Sequence, residues 1–342
     1  MKPMNPIAAG AALALQLWNS APASAVELSV PTDFPTIQAA IDAAPDGAVI
    51  SVAAGTWFED IDFAGKDIVV QGEGSDSVIH GTGTGPVVRF TSGEGPGAKL
   101  DSFTITGGFA QTGGGIEIVG SSPTIVRNVI AGNSASRVGS GMFIGGASSS
   151  PLVANNLMMF NTGAGGDPHT VQIEGSSPRL VNNTIVRNDS NAILTSGEGH
   201  PEIRNNILAR NGTRINGSPV KGRGICDFAA GTITKYNLFF RNAVAAILTA
   251  GKDFRRIRSA EYELQDERLA DNLDGATRFS AGRIPRTLSA ATPAGFIPRE
   301  DAPGASRAAH GGDPSPEYAN TDGSRNTIGF TGGPFAPLLE ER

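Results

Sequence analysis

The sequence predicts an all-β solenoid of stacked parallel coils, closed at its N-terminal end by a short helix. Three observations indicate this fold. They are five copies of an asparagine motif in one register, strand-like runs between the copies, and a helical stripe of apolar residues before them. The 45 glycines and the 6% aromatic content suit many tight turns better than a broad helical core.

The first residues have the pattern of a secretory signal. Lys2 precedes an apolar run over residues 7–18, and the small residues 23–25 follow at the expected cleavage point. That run is too short to span a bilayer, and no later apolar stretch approaches twenty residues. We therefore expect residues 1–25 to be a signal peptide. The mature protein is expected to be secreted, periplasmic or at the cell surface, with no membrane-spanning segment.

Cysteine content and net charge narrow the possible functions. Cys226 is the single cysteine and cannot form an internal disulfide, so stacked backbone hydrogen bonds must supply the stability of an exported protein. The formal net charge of -6 gives no electrostatic footprint for nucleic acid. Local basic clusters remain able to bind anionic ligands.

The stretch before the repeat predicts the capping helix. Its apolar residues recur at helical spacing and are Ile37, Ala40, Ile41 and Ala44. Asp33 or Thr36 is the expected N-cap, and a short amphipathic helix at this position would cover the open end of the stack. We assign residues 26–48 to this cap and residues 49–250 to the coils. Residues 251–342 form an irregular C-terminal capping segment.

The repeat places a proline, an apolar residue at +2, asparagine at +5, an apolar residue at +7 and asparagine at +10. Full copies start at Pro123, Pro151, Pro178 and Pro201, and a fifth has Thr232 in place of proline. The asparagines are Asn128, Asn156, Asn183, Asn206 and Asn237 at +5, and Asn133, Asn161, Asn188, Asn211 and Asn242 at +10. In coils that rise by roughly 4.8 Å per turn, equivalent amides stack into ladders that satisfy buried turn backbone. The alternative is a set of polar surface turns without a ladder.

The strand-like runs and the variable segments complete each unit. Alternating apolar residues occur in GIEIV (115–119), GMFI (141–144), TVQI (170–173) and AIL (192–194). A unit of about 25 residues buries its apolar face only by stacking on a neighbour. All length variation follows the closing asparagine, in segments 134–141, 162–170, 189–192 and 212–224. These segments should leave the solenoid at one corner and form one ridge.

The cap and the first coils resemble a known family. TIQAAIDAAPDG (36–47) and GTWFEDIDFAGKDIVVQGEG (55–74) resemble pectin methylesterases. With the asparagine repeats, roughly residues 30–250 resemble the right-handed parallel β-helix, or pectin-lyase-like, proteins. The paired aspartates of the methylesterases are not reproduced, because no QAVAL-like run exists and only Asp227 in CDFAAG resembles the second element. Esterase activity is therefore not expected.

A lyase reaction is the leading hypothesis for chemistry. Lyases of this fold need a base that removes the proton α to a uronate carboxylate and a cation that neutralises the developing charge. The resemblance implies that lysine and arginine, with or without calcium, supply both. SPVKGRGICD (218–227) contains Lys221 as candidate base and Arg223 as candidate carboxylate clamp. The alternative is an ordinary basic surface loop.

A second hypothesis is uronate C5-epimerisation. GGDPHT (165–170) supplies Asp167, Pro168 and His169, which are similar to the Asp-Pro-His element of alginate epimerases. Ala164 stands where that element has a tyrosine, so the phenol is missing unless Tyr236 supplies it. The alternative is a solvated loop in which Asp-Pro makes a turn.

The ridge gathers these candidates. Arg137, Asp167, His169, Lys221 and Arg223 all lie in variable segments, with Arg137 as a substrate-binding residue. Asp167 and Lys221 should lie two coils apart, roughly 10 Å. Inserted loops on one face of a repeat protein commonly form its binding face. The predicted function is binding of an acidic polysaccharide and its cleavage by β-elimination. The alternatives are a non-catalytic surface or adhesion scaffold and the epimerase.

Calcium is the candidate cofactor. HGGDPSPEYANTDGSRNTIGFTGGP (310–334) resembles a closing element of bacterial β-helix proteins, although Thr327 stands where that element carries an aspartate. Asp313 and Asp322 are the candidate metal ligands, with Asn320 and Asn326 beside them, because calcium prefers hard oxygens. Turns rich in glycine and aspartate look the same without metal.

Overall fold

Three long sheets run the length of the solenoid, and each coil contributes one strand to each sheet. The computed structural model describes residues 25–164, 168–212, 214–215, 218–219, 222–229, 231–249, 252–254, 273–274, 312–320 and 328–329. Neighbouring strands of the sheets are parallel, except that Lys252–Phe254 pairs antiparallel at the end of the third sheet. The predicted fold class, an all-β right-handed parallel β-helix with a short capping helix, is confirmed.

The strands are short, and in each sheet they lie side by side in the order of the chain. The first sheet contains Glu27–Val30, Val49–Val52, Val69–Gly72, Lys99–Asp101, Thr124–Val126, Leu152–Ala154, Arg179–Val181, Glu202–Arg204 and Ile233–Lys235. The second contains Gly55–Phe58, Ser77–His80, Thr104–Thr106, Val129–Ala131, Leu157–Met159, Thr184–Val186, Ile207–Ala209, Leu238–Phe240 and Leu273–Asp274. The third contains Ile61–Asp62, Val88–Phe90, Ile116–Val119, Met142–Gly145, His169–Glu174, Asn191–Gly197, Arg223–Ala229, Ala245–Thr249 and Lys252–Phe254.

Two smaller sheets lie outside these three. Phe109–Thr112, Ser134–Val138 and Thr162–Gly163 form a parallel sheet that we call the ridge. Arg214–Ile215 and Ser218–Pro219 form an antiparallel pair. Because each ridge strand follows a second-sheet strand and precedes a third-sheet strand, the ridge occupies the corner between those two sheets.

The predicted helix closes the first coil and spans Ile37–Ala43. The Thr36 hydroxyl accepts the Ala39 N–H at 3.2 Å, so Thr36 is the N-cap. The Glu59 carboxylate accepts two further N–H groups at this end. At the other end, Lys66 Nζ donates to three terminal carbonyls at 2.7 to 2.9 Å. The helix buries its apolar stripe against the first strands of the core.

The two asparagine ladders are confirmed. Asn156 donates both its backbone N–H and its side-chain amide to Asn183 Oδ1, each at 3.0 Å. Asn183 makes the same pair of bonds to Asn206 at 2.8 and 3.0 Å. The second ladder repeats this pattern from Asn133 to Asn242. The buried corners therefore satisfy their own backbone groups without water.

A third ladder was not predicted. At the corner between the third and first sheets, the Ser121 N–H donates to Ser149 Oγ at 3.2 Å. Ser121 Oγ donates to the buried carboxylate of Glu94 at 2.7 Å, and the same carboxylate accepts the Gly65 and Ser92 N–H groups. The SSP triplets before the repeat prolines were the sequence feature that could have indicated it.

The C-terminal residues that the structure describes cover the outside of the first two sheets. Tyr318, in a short 3₁₀ helix over Pro316–Tyr318, packs on Val126, Ala154 and Val181 of the first sheet. Ile328 is buried on the second sheet in a cluster that contains Val129, Ala131, Leu157, Met159, Val186, Ile207, Ala209 and Leu238. The outer faces of the sheets are thus apolar where this segment covers them. In the described part of the chain, no helix has the length and apolar character needed to cross a membrane.

Candidate functional site

The ridge is the part of the solenoid where the variable segments emerge together. Phe109 and Ala110 pair with Ser134 and Ala135, and the next strand continues the stack through Thr162. Close packing under the ridge requires glycine, because a Cβ on Gly108 would overlap the Gly114 carbonyl oxygen. In the residues described, the variable segments leave at a common corner, as expected.

Arg137 is exposed on the ridge. The pairing of the first two ridge strands shifts register between Ala110 and Thr112, so Arg137 lies in a β-bulge. A bulge bends its strand and redirects the side chains it contains. The role of Arg137 in substrate binding stays a prediction, and its exposure is compatible with that role.

Beneath the ridge, the first residues of successive third-sheet strands form a polar column. His169 pairs in register with Asn191, and their side chains approach at 3.3 Å between Nε2 and Nδ2. Asn191 Oδ1 accepts the backbone N–H groups of Gly222 and Arg223, both at 2.8 Å. Ser140, in the preceding coil, donates its N–H to the His169 carbonyl. The structure therefore brings His169 and Arg223 together in one column, two coils apart.

The two column candidates differ in access to solvent. His169 is only 2% exposed, so its imidazole reaches a polymer only if the residues above it move. Arg223 is half-buried at the start of its strand. The proposed roles of both side chains stay predictions. Asp167, Lys221 and Asp322 lie outside the described residues.

Asp313 lies far from the ridge, at the corner between the first and second sheets. Its N–H donates to Asn205 Oδ1 at 2.7 Å, its Oδ1 accepts the Ser315 N–H, and its Oδ2 accepts Arg204 Nη1 at 2.6 Å. Both carboxylate oxygens thus hold the C-terminal segment in place. Among the described residues, no group of three or more His, Cys, Asp or Glu side chains could hold a metal ion. Calcium binding stays a prediction.

The same corner carries a charged clamp, which consists of Arg179, Glu202, Arg204, Asp313 and Tyr318. The Tyr318 hydroxyl donates to Glu202 Oε1 at 2.8 Å, and Arg179 Nε donates to Glu202 Oε2 at 2.9 Å. Burial by itself would raise the pKa of Glu202, but hydrogen bonds from Tyr318 and Arg179 and the charge of Arg204 hold that pKa below its ordinary value. Burial raises the pKa of the Tyr318 phenol. The clamp joins the C-terminal segment to two coils.

Two other residues named from the sequence are also placed away from the ridge. Asp227 is 7% exposed, and its Oδ1 accepts the buried Thr195 hydroxyl at 2.6 Å. Tyr236 occupies the left-handed position (φ 56°) before Asn237, at the corner between the first and second sheets. That is not the ridge corner, so the position of Tyr236 does not favour it as the source of the phenol that the epimerase element lacks.

Two solved structures are similar to this chain at low sequence identity. The crystal structure of pectate lyase Pel9A is similar at 14% identity and a TM-score of 0.48, covering 89% of this chain and 95% of that chain. A pectin methylesterase from carrot is similar at 14% identity and a TM-score of 0.26, covering 69% of this chain and 89% of that chain. No curated protein matches the sequence.

A family model matches a continuous segment of the chain. The family described as the right handed beta helix region matches residues 68–240, which is 173 of 342 residues. This segment contains the four full repeat copies, the ridge and the polar column. The chain therefore belongs to the right-handed β-helix family.

Proposed function

We propose that this β-helix protein binds an acidic polysaccharide at the ridge corner, where Arg137 of the ridge and Arg223 of the polar column beneath it pair with uronate carboxylates. The observation that carries the proposal is the placement of these two arginines at one corner of the solenoid. Arg137 lies on the coil of Ser140, and Arg223 lies three coils further on, roughly 14 Å away along the axis. A linear polymer of regularly spaced carboxylates matches such a row of cations.

Backbone hydrogen bonds support the second arginine. Asn191 Oδ1 holds the N–H groups of Gly222 and Arg223, which fixes the start of that strand relative to the preceding coil. Guanidinium groups recognise carboxylates through two parallel N–H donors. Because the Arg223 backbone is held in place, its side chain has less freedom to lose on binding, which favours binding. The variable segments at the ridge also differ in length from coil to coil, and inserted loops of this kind commonly form the binding face of a repeat protein.

Cleavage by β-elimination is the finer part of the proposal. Lys221 precedes Arg223 by two residues in the sequence and is the candidate base. The base removes the proton α to the uronate carboxylate, and Arg223 neutralises the carboxylate as charge develops on it. The C4–O bond then breaks, which leaves a C4=C5 double bond on one product, and the departing oxygen takes up a proton from water to give a hydroxyl on the other.

Binding and cleavage are tested separately. The mature protein is run by affinity electrophoresis through gels containing pectate, alginate or a glycosaminoglycan, at low and high salt. We expect at least one of these polymers to retard the wild-type protein, and we expect high salt to reduce that retardation. Arg137→Ala and Arg223→Ala should each weaken it. Lys235→Ala is the control, because Lys235 lies on the first sheet, away from the ridge. A folded wild-type protein that none of these polymers retards would disprove the proposal.

Incubation with the same polymers, with and without calcium, tests the chemistry. Growth of ultraviolet absorbance from unsaturated uronates, abolished in Lys221→Ala, supports elimination. A changed ratio of uronate epimers without that absorbance points instead to His169 and Asp167. Binding without either product identifies a non-catalytic scaffold and removes the cleavage step from the proposal.

A further inference from the structure

An exposed aromatic patch lies near the N-terminal end of the second sheet and extends to the first ridge strand. It consists of Phe58, His80 and Phe109. Phe58 is 74% exposed and Phe109 is 54% exposed. Phe58 and His80 are register partners on adjacent strands, with ring centroids 5.0 Å apart and an interplanar angle of 43°.

The third ring belongs to the next coil. Gly107 has φ +78°, and a Cβ there would lie 2.5 Å from Cε1 of the His80 ring. The backbone that leads into Phe109 therefore passes directly against the imidazole. Three aromatic side chains thus lie on three consecutive coils, a length of roughly 10 Å along the axis. The glycine is needed for this approach, because any side chain would displace the imidazole.

Folding alone does not account for the exposure of these rings. Further along the second sheet, the outward residues are apolar and are buried by contact with Ile328 and neighbouring side chains. On the coils of the patch, the outward neighbours Thr56, Val78, Thr104 and Thr106 are exposed or half-buried, so this part of the sheet is accessible to solvent. Large apolar side chains held in water commonly mark an interaction site.

The charges around the patch indicate which ligand it accepts. Asp60 follows Phe58 by two residues, and its carboxylate accepts the N–H and the hydroxyl of Thr82. Arg89, whose guanidinium lies against Gly85, is paired with Glu117 at 3.9 Å. Among the residues described around the rings, carboxylates and hydroxyls thus outnumber cations. With Arg89 paired to Glu117, the residues named here offer a polyuronate no unpaired cation, whereas the Asp60 carboxylate can accept hydroxyl donors.

We propose that the aromatic patch is a binding site for a neutral polysaccharide. The apolar C–H faces of consecutive sugar rings stack on Phe58 and Phe109, which removes exposed apolar surface from water. The sugar hydroxyls donate to Asp60 and to the threonine hydroxyls beside it. Phe109 lies on the first ridge strand, but the site uses neither Arg137 nor Arg223 and does not depend on the function proposed for them.

Affinity electrophoresis of the mature protein through a galactan, a xylan and a dextran tests the site. We expect at least one of these neutral polymers to retard the wild-type protein. Phe58→Ala should weaken that binding by about tenfold, and Phe109→Ala should weaken it to a similar degree. Phe58→Tyr should retain it. Phe228→Ala is the matched control, because Phe228 is 49% exposed but lies near the other end of the third sheet.

Three results would overturn the inference. The first is that no neutral polymer retards the protein, and the second is that wild type and Phe58→Ala bind equally. The third is self-association that Phe58→Ala abolishes, which would make the patch a contact between copies. Arg137→Ala separates this test from the acidic-polymer proposal, because it should leave neutral binding unchanged. Circular dichroism of each variant confirms that the coils are intact.

Discussion

Asn156 and Asn183, 27 residues apart in sequence, are joined by two hydrogen bonds that share one acceptor. The backbone N–H and the side-chain amide of Asn156 both donate to Asn183 Oδ1 at 3.0 Å. Asn183 in turn donates its side-chain amide to the Val153 carbonyl at 2.8 Å and to Asn206 at 3.0 Å. One side chain therefore connects three consecutive coils at a fully buried corner.

Removal of this connection should destabilise the solenoid. Asn183→Ala leaves the Asn156 N–H and the Val153 carbonyl without their partners in a buried corner. We expect the free energy of unfolding to fall by about 2 to 5 kcal/mol. Urea unfolding followed by circular dichroism measures the change. Thr162→Ala, at an exposed ridge position, is the control and should change it by less than about 0.5 kcal/mol. Equal effects of the two substitutions would contradict the role of the ladder.

The left-handed turn residues provide a test of backbone strain. Ala64 is exposed and has φ 53°, where a Cβ is unfavourable. We expect Ala64→Gly to raise the free energy of unfolding by up to about 1 kcal/mol. Ala54 is also exposed and is not among the positive-φ residues. Ala54→Gly should therefore lower the free energy of unfolding by about 0.5 to 1 kcal/mol. Shifts of the same sign in both variants would show that strain at Ala64 is not significant.

The clamp on the C-terminal segment should make stability depend on pH. The pKa of Glu202 is lowered in the folded protein from its ordinary value of 4.5. The unfolded chain therefore binds its proton at a higher pH than the folded chain does. The contribution of Glu202 is complete above the ordinary value and is lost as the pH falls through the lowered pKa.

Glu202→Gln isolates this contribution. At pH 7 the substitution should lower the free energy of unfolding by about 1 to 3 kcal/mol, because the group that accepts hydrogen bonds from Arg179 and Arg204 loses its negative charge. The difference from wild type should shrink as the pH falls below about 4.5. Urea midpoints measured from pH 7 to pH 3 test this. Glu317→Gln is the control, because Glu317 is exposed on the same C-terminal segment. A difference that is constant with pH would argue against the clamp.

Asn191 should act on ligand binding through Arg223. Asn191→Ala removes the acceptor for the Gly222 and Arg223 N–H groups, and we expect affinity for the acidic polymer to fall by about threefold to tenfold. A double-mutant cycle with Arg223→Ala is the measurement. Because Asn191 only positions Arg223, the double variant should bind no more weakly than Arg223→Ala. Additive losses would indicate that Asn191 acts independently of Arg223.

The local repeat made most of the fold predictable. Fixed spacing within each copy placed the asparagines on equivalent corners, and alternation of apolar residues placed the strands between them. The cap was predictable for the same reason, since Thr36 and the apolar stripe after it lie within one short segment. The left-handed residues before the ladder asparagines were less visible, because arginine, tyrosine and phenylalanine occupy that position as well as asparagine.

The candidate site was only partly predictable. The common corner of the variable segments followed from the constant spacing of the repeat, and Arg137 is exposed there as expected. The burial of His169 and its contact with Asn191 did not follow, because spacing does not reveal which side chains the ridge covers. Phe58 and Phe109 were not singled out at all, since an exposed aromatic residue in a strand has the same sequence pattern as a buried one.

The sequence by itself determined the solenoid, because each coil repeats short-range rules of turn, strand and ladder that stacking only reinforces. Tertiary structure alone decided how the C-terminal segment is used. Asp313 pairs with Arg204, which is 109 residues away, and Tyr318 bonds Glu202 across 116 residues. No periodicity in the sequence connects such distant partners, so only the folded chain shows them together. Asp313, in a turn that resembles a calcium loop, attaches this segment to the side of the coils.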